Sequence, residues 1–101
     1  MKLLIITAIT DFAKDVKQIL KNAQVHSYSY KEVNGFKNTN ENSLQTNWFG
    51  SDAHENESIL FYAFIPKLNV DIVIDAANDF NSKQETQSHI HVAIINIEKS
   101  N

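Results

Sequence analysis

The chain has 101 residues, 43% of them hydrophobic, which suits one globular domain over residues 1–101 and leaves no room for a second core. The formal net charge is −3 and all nine basic residues are lysines, which argues against a nucleic-acid surface and excludes bidentate binding of phosphate by arginine. The absence of cysteine excludes disulfides, zinc–thiolate sites and a thiol nucleophile.

The first segment, Lys2 to Ile9, is a continuous isoleucine-rich run that is typical of a strand covered on both faces. It is too short to span a bilayer and has no cleavage site after it, so we expect a cytoplasmic protein that is not inserted in a membrane. A helix follows, with Thr10 or Asp11 as its cap. Its apolar stripe consists of Phe12, Val16, Ile19, Leu20 and Ala23.

A second strand is predicted from Val25 to Phe36 by its alternating pattern. Asn34-Gly35 is a hairpin signal, but a long polar stretch follows it and apolar residues resume only at Ile59. We therefore interpret Gly35 as the point where the strand leaves the sheet and enters a long loop at about residues 37–58.

The rest of the chain repeats the pattern of strand, helix and strand. Ile59 to Ile65 is a fully apolar strand that Pro66 ends, and Asn69 is the predicted cap of the second helix. The apolar stripe of that helix consists of Val70, Val73, Ile74, Ala77 and Phe80. A polar connection, Asn81 to Ser88, precedes a last strand from His89 to Ile97.

The resulting order, βαββαβ, predicts a ferredoxin-like α+β fold, with a four-stranded antiparallel sheet and two helices on one face. The two strands joined by the long loop should be neighbours. Strands one, three and four are apolar at nearly every position, whereas a sheet face open to water needs polar residues. We therefore expect other subunits to cover the open face in an oligomer built sheet to sheet.

Several stretches resemble the PII-like signalling proteins over nearly the whole chain. Those proteins begin with a Met-Lys-apolar strand and a helix containing Asp-x-Val-x-x-x-Leu, matched here by Asp15, Val16 and Leu20. Their second strand ends in Glu-Val-x-Gly-Phe, which here is Glu32 to Phe36. Their third strand and Val-Asp-x-Val-x-x-Ala helix resemble the segment from Ile59 to Phe80. In that helix the matching residues are Val70, Asp71, Val73 and Ala76 or Ala77.

The resemblance implies a compact homotrimer. It implies that Asn38 to Ser58 is similar to the T-loop, which contacts target proteins such as a membrane transporter. It also places a ligand cleft between subunits near the base of that loop, where many members bind adenine nucleotides. The ligand-binding residues that this implies here are Gly35, Phe36, Lys37, Asn38, Phe64, His89 and His91.

The chain departs from the PII pattern at its phosphate-binding parts. Members that bind ATP carry a glycine-rich loop before the last strand, whose amides cradle phosphates. The connection from Asn81 to His91 contains no glycine, no arginine follows the last strand, and the long loop has no tyrosine for modification. These departures indicate a divergent PII-like protein rather than a nitrogen-regulating one.

Two groups of loop residues have alternative interpretations. Trp48 and Phe49 are candidate partner contacts, or else they pack back on their own domain. Asp52, His54 and Glu55 could hold a divalent metal, or else they belong to a solvated loop.

His89 and His91 stand two residues apart, so one strand would direct both to one face. They could bind a metal, contact an anion when protonated, or be satisfied within an interface.

Three functional hypotheses follow. The first is a trimeric PII-like regulator that binds a small ligand, a nucleotide or a divalent metal, at subunit interfaces and contacts a partner through its loop. The second is a divalent-metal-binding trimer similar to CutA-type proteins and linked to metal tolerance or transport. The third is a structural trimeric adaptor without a ligand. An enzyme is not expected, because no nucleophile and base stand out and the acylphosphatases, which share the βαββαβ order, rely on an arginine.

Overall fold

The computed structural model describes residues 1–36 and 56–101. In these ranges the regular elements follow the predicted βαββαβ order, and short 3-10 turns (Thr10–Phe12 and Lys67–Asn69) precede the two helices. The elements are β1 (Lys2–Ile9), α1 (Ala13–Asn22), β2 (Ser29–Gly35), β3 (Asn56–Ile65), α2 (Val70–Ser82) and β4 (His91–Asn96).

The four strands form one antiparallel sheet in the order β2-β3-β1-β4. The most apolar strands, β1 and β3, occupy its centre, as expected for strands that are covered on both faces. The predicted pairing of the strands on either side of the long loop is confirmed, because Gly35 and Asn56 are register partners at the end of the β2–β3 ladder.

The core lies between the sheet and the two helices. Alternate residues of β1 and β3 point into it, Phe61 among them, and α1 and α2 contribute Leu20 and Val73. Phe12, in the 3-10 turn before α1, makes an edge-to-face contact with Phe80 of α2, with the ring centroids 5.0 Å apart. The ferredoxin-like α+β prediction is therefore confirmed.

The second strand begins four residues later than predicted. Gln24 has a left-handed backbone, with φ at 62°, and follows the last turn of α1. The backbone N–H of Gln24 donates to the carbonyl of Lys21, and that of Val25 donates to the carbonyl of Leu20. This is a Schellman ending, so Val25 packs in the core as part of the helix cap and the strand starts only at Ser29.

The last strand was also predicted too long, because a side chain holds its first residues. Asn81 Nδ2 donates to the carbonyl of Ile90 at 2.8 Å, and Asn81 Oδ1 accepts from the N–H of Ile90 at 2.7 Å. Asn81 is thus part of α2 rather than of the polar connection. His89 precedes β4, which runs from His91 to Asn96. In contrast, β3 is longer than predicted and starts at Asn56.

Asn69 occupies the predicted N-cap position of α2, but none of the predicted caps forms a side-chain capping bond. Neither Thr10 nor Asp11 caps α1, since the 3-10 turn carries the chain directly into that helix. Asn69 precedes α2 without a capping bond to it. Its Nδ2 instead donates to the carbonyl of Ala23 at 2.7 Å, which ties the start of α2 to the end of α1. Within residues 1–36 and 56–101, no helix is long and apolar enough to cross a membrane.

Candidate functional site

The sheet face away from the helices, called the open face here, is rich in apolar side chains. The register places Phe64, Leu3 and Ile95 in one row across the strands and Tyr62, Ile5 and Ala93 in the next. Phe64 is 59% exposed, Tyr62 45% and Ile95 42%. A contiguous apolar surface of this kind is typical of a contact surface.

One end of the sheet carries the loop base, which we define as Thr10, Gly35, Phe36 and Ser58. Gly35 is buried and Phe36 is exposed. Ser58 is fully buried, yet its hydroxyl has no hydrogen-bond partner in the described part of the chain, and the same holds for the buried hydroxyl of Thr10. An unpaired buried hydroxyl costs about 1–3 kcal/mol. The loop base therefore retains hydrogen-bonding capacity that the described fold leaves unused.

The two histidines lie at the same end of the sheet, because His91 is the register partner of Thr7 near the end of β1. The rings of His89 and His91 are 6.5 Å apart between centroids and nearly perpendicular. Burial, and secondarily the charge of His89, lowers the pKa of the half-buried His91 below 6.5. His91 is therefore neutral at physiological pH. Residues 1–36 and 56–101 contain no group of three or more side chains suited to hold a metal ion.

A groove of about 380 Å³ lies at the opposite end of β3, and we call it the aromatic groove. Its lining residues are Ser27, Tyr28, Ser29, Tyr62, Ala63 and Phe64. Of these only Phe64 was predicted as a site residue. Tyr62 was missed, although an aromatic residue that alternates onto the open face of an apolar strand signals such a position. Ser27 to Ser29 gave no such signal, since only the β2–β3 register brings them beside Tyr62.

The aromatic groove and the loop base lie toward opposite ends of β3. Ser58 of the loop base and Phe64 of the groove are six residues apart in that strand, which corresponds to about 20 Å at ~3.3 Å per residue. The structure thus gathers Gly35, Phe36, His89 and His91 at one end of the sheet and leaves Phe64 at the other. The groove and the loop base are therefore separate parts of one chain.

The remaining predicted residues lie outside the described residues. They are Lys37 and Asn38 at the start of the loop, Trp48 and Phe49 as partner contacts, and Asp52, His54 and Glu55 as metal ligands.

No protein-family model and no curated protein matches this sequence. Solved structures do match it. One similar structure is that of CPII, a nitrogen regulatory PII-like protein from Thiomonas intermedia K12, bound to ADP, AMP and bicarbonate. It matches with a TM-score of 0.64 and 15% sequence identity, over 99% of this chain and 94% of that chain. The apo form of the same protein is similar with a TM-score of 0.61 and 18% identity, over 93% and 87%.

The similarity extends over nearly the full length of both chains and includes all six elements described above. At this level of identity it establishes a common fold. The resemblance noted in the sequence is thus confirmed at the level of structure, and this chain has the fold of the PII-like proteins.

Proposed function

We propose that this chain is a PII-like regulatory protein that binds a small ligand between copies of itself. On this proposal it is a cytoplasmic homotrimer and a binding protein rather than an enzyme. It contacts a partner protein, such as a membrane transporter, through the segment that joins β2 to β3, where Trp48 and Phe49 are the predicted contacts. The apolar open face supports the assembly, because subunit contacts would remove Tyr62, Phe64 and Ile95 from water.

The observation that carries the ligand proposal is the placement of complementary groups at opposite ends of β3. The aromatic groove offers rings for a planar ligand, and the loop base offers two unpaired buried hydroxyls that a ligand would reach once the loop base opens. A ligand held between the groove of one copy and the loop base of the next would contact both sets. The complex of CPII with ADP, AMP and bicarbonate makes adenine nucleotides the first candidates.

The composition also bears on which nucleotide is preferred. The chain has no arginine, and the connection from Lys83 to Ile90 has no glycine to bring backbone amides close to phosphates. Each additional phosphate of a nucleotide would therefore meet few further hydrogen-bond donors. We expect AMP or ADP to bind at least as tightly as ATP.

Isothermal titration calorimetry against ATP, ADP, AMP, cyclic nucleotides and zinc tests this proposal. We expect heat with an adenine nucleotide and loss of that heat in Phe64→Ala, whereas Ile72→Ala, a truncation on α2, serves as the matched control. No binding of any nucleotide would contradict the proposal. Zinc binding that disappears in His91→Gln would instead support the metal-binding alternative.

Ser58→Ala separates a ligand contact from a structural role. Removing an unpaired buried hydroxyl should leave the free energy of unfolding unchanged or raise it, because no hydrogen bond is lost within the described fold. If Ser58 contacts the ligand, nucleotide affinity should fall by roughly three- to tenfold in the same variant. Unchanged affinity would remove Ser58 from the site.

Mixing two defective variants tests whether the site is shared between copies. Ser58→Ala alters only the loop base and Phe64→Ala only the groove. Each site combines the groove of one copy with the loop base of another. In a 1:1 mixture of the two variants that is unfolded and refolded together, half of the grooves and half of the loop bases are intact. About a quarter of the sites should therefore regain wild-type affinity. No recovery would show that both parts are required within a single chain.

A further inference from the structure

A second groove lies between α1 and the segment that leads to β2, and we call it the basic groove. Its volume is about 380 Å³. Its lining residues are Lys14, Lys17, Gln18, Lys21, Val25, His26 and Tyr28. It therefore carries three of the nine basic residues of the chain, and none of its lining residues is acidic.

The three lysines stand at positions i, i+3 and i+7 of one helix and form a row about 10 Å long. In the described ranges these three lysines have no carboxylate partner within 4 Å. The ion pair found there joins Lys83 to Asp79, at 3.0 Å. The chain as a whole has a net charge of −3, so this row is a local concentration of positive charge on an acidic protein. Such a row attracts an anionic partner over several ångströms.

Aromatic and apolar groups flank the row of lysines, and one of them restricts the side chain of Lys17, the central lysine. The ammonium group of Lys17 lies 4.5 Å from the ring centroid of Tyr30, a cation–π contact. Tyr28 is half-buried and Val25 is buried, so an apolar wall runs beside the charges. The groove thus combines point charges with a strip that can contact apolar side chains.

We propose that the basic groove binds an extended acidic peptide segment of a partner protein, with carboxylates at alternate positions. In an extended peptide, alternate side chains point to the same side at intervals of about 6.7 Å. The three lysines are spaced by three and four residues along the helix, and their flexible side chains can reach carboxylates at that interval. The residues between them would lie against Val25 and Tyr28. This site shares Tyr28 with the aromatic groove, but its three lysines lie outside the proposed ligand site and the proposal does not depend on that site.

Two features favour a peptide over a phosphorylated small molecule. The groove lies open along the helix, whereas small ligands are mostly enclosed by their sites. The lysines also lack the planar fork with which arginine binds phosphate through two hydrogen bonds. A lysine ammonium group needs no such fork to pair with a single carboxylate.

Titration of the full chain with acetyl-Glu-Val-Glu-Val-Glu-amide, followed by NMR amide shifts, tests this proposal. We expect shifts confined to the segment from Lys14 to Tyr30 and an affinity that falls with added salt. The variant K14Q/K21Q should bind about fivefold more weakly or worse, because each exposed ion pair contributes a modest amount. It leaves Lys17 and its contact with Tyr30 in place. The charge-matched control K67Q/K99Q should bind like the wild type.

Three outcomes would overturn the proposal. One is equal weakening in K14Q/K21Q and K67Q/K99Q, and a second is equal binding of the Gln-Val-Gln-Val-Gln peptide. The third is a tighter partner of another class, either inorganic triphosphate that displaces the peptide or phosphatidylserine vesicles whose binding is lost in K14Q/K21Q.

Discussion

At the scale of single residues, we expect His91 to reduce the stability of the protein in acid. Its pKa is lowered in the folded chain by burial and then by His89, while in the unfolded chain it has its ordinary value near 6.5. As the pH falls below 6.5 the unfolded state takes up a proton before the folded state does, so stability is full above that pH and decreases toward the folded pKa. We expect the melting temperature to fall from pH 7.5 to pH 5.5, and to fall less in His91→Gln.

His89→Gln provides the internal comparison. It removes the charge that contributes the smaller part of the His91 shift and leaves the burial of His91 in place. Its pH dependence should therefore lie between those of the wild type and His91→Gln. An identical loss of stability with acid in all three proteins would exclude His91 as the group responsible.

Asn81 is the second residue with a specific stabilising role. Its amide pairs with both the N–H and the carbonyl of Ile90, which is buried. Asn81→Ala leaves both backbone groups without their partner and should lower the free energy of unfolding by about 1–3 kcal/mol, measured by urea denaturation. Asn78→Ala, an exposed position on the same helix, is the control and should change it little. Equal effects at both positions would contradict this role.

At the scale of elements, the end of α1 is held in a conformation that its sequence does not favour. Gln24 has φ at 62°, where glycine is the usual residue. Gln24→Gly should therefore raise the free energy of unfolding by about 1 kcal/mol, because the left-handed conformation costs a residue with a side chain roughly that much. Gln18→Gly, the same change within α1, should lower it by a similar amount. A destabilising Gln24→Gly would show that its side chain is needed.

The elements themselves were predictable and their ends were not. Apolar residues at helical and strand spacing depend only on which face is buried, so the order of all six elements followed from the sequence. The starts of β2 and β4 depend instead on hydrogen bonds to residues elsewhere, from Val25 to Leu20 and from Ile90 to Asn81. Spacing along the chain carries no information on such bonds.

The sequence also predicted part of the candidate site. Gly35 and Phe36 were predicted at the base of the loop, and the β2–β3 ladder ends there. The separation of Phe64 from that base was not foreseen, since it follows from the antiparallel register rather than from residue type. Ser58 was predicted within the loop, although it lies in β3 and is fully buried.

At the scale of the whole molecule, the proposed assembly depends on the open face. Phe64 and Ile95 lie in the same row of that face, on either side of Leu3. Phe64→Glu with Ile95→Glu would place charges in a buried apolar contact, so we expect the mass measured by light scattering to fall to that of a monomer. Leu68→Glu with Ile72→Glu, two exposed positions around the start of α2, adds the same charge and should leave the mass unchanged. A wild-type monomer at micromolar concentration would contradict the proposed assembly.

The pairing of Gly35 with Asn56 has a consequence for how this protein can change over evolutionary time. The sheet fixes both ends of the intervening segment side by side, so the fold specifies its anchor points and places little demand on its length. A flexible loop that doubles in length costs only about 0.6 kcal/mol in closure entropy. If this segment contacts a partner as proposed, insertions and replacements between these anchors would alter what the protein recognises and spare its core. On that proposal, binding specificity can diverge here without a matching loss of foldability.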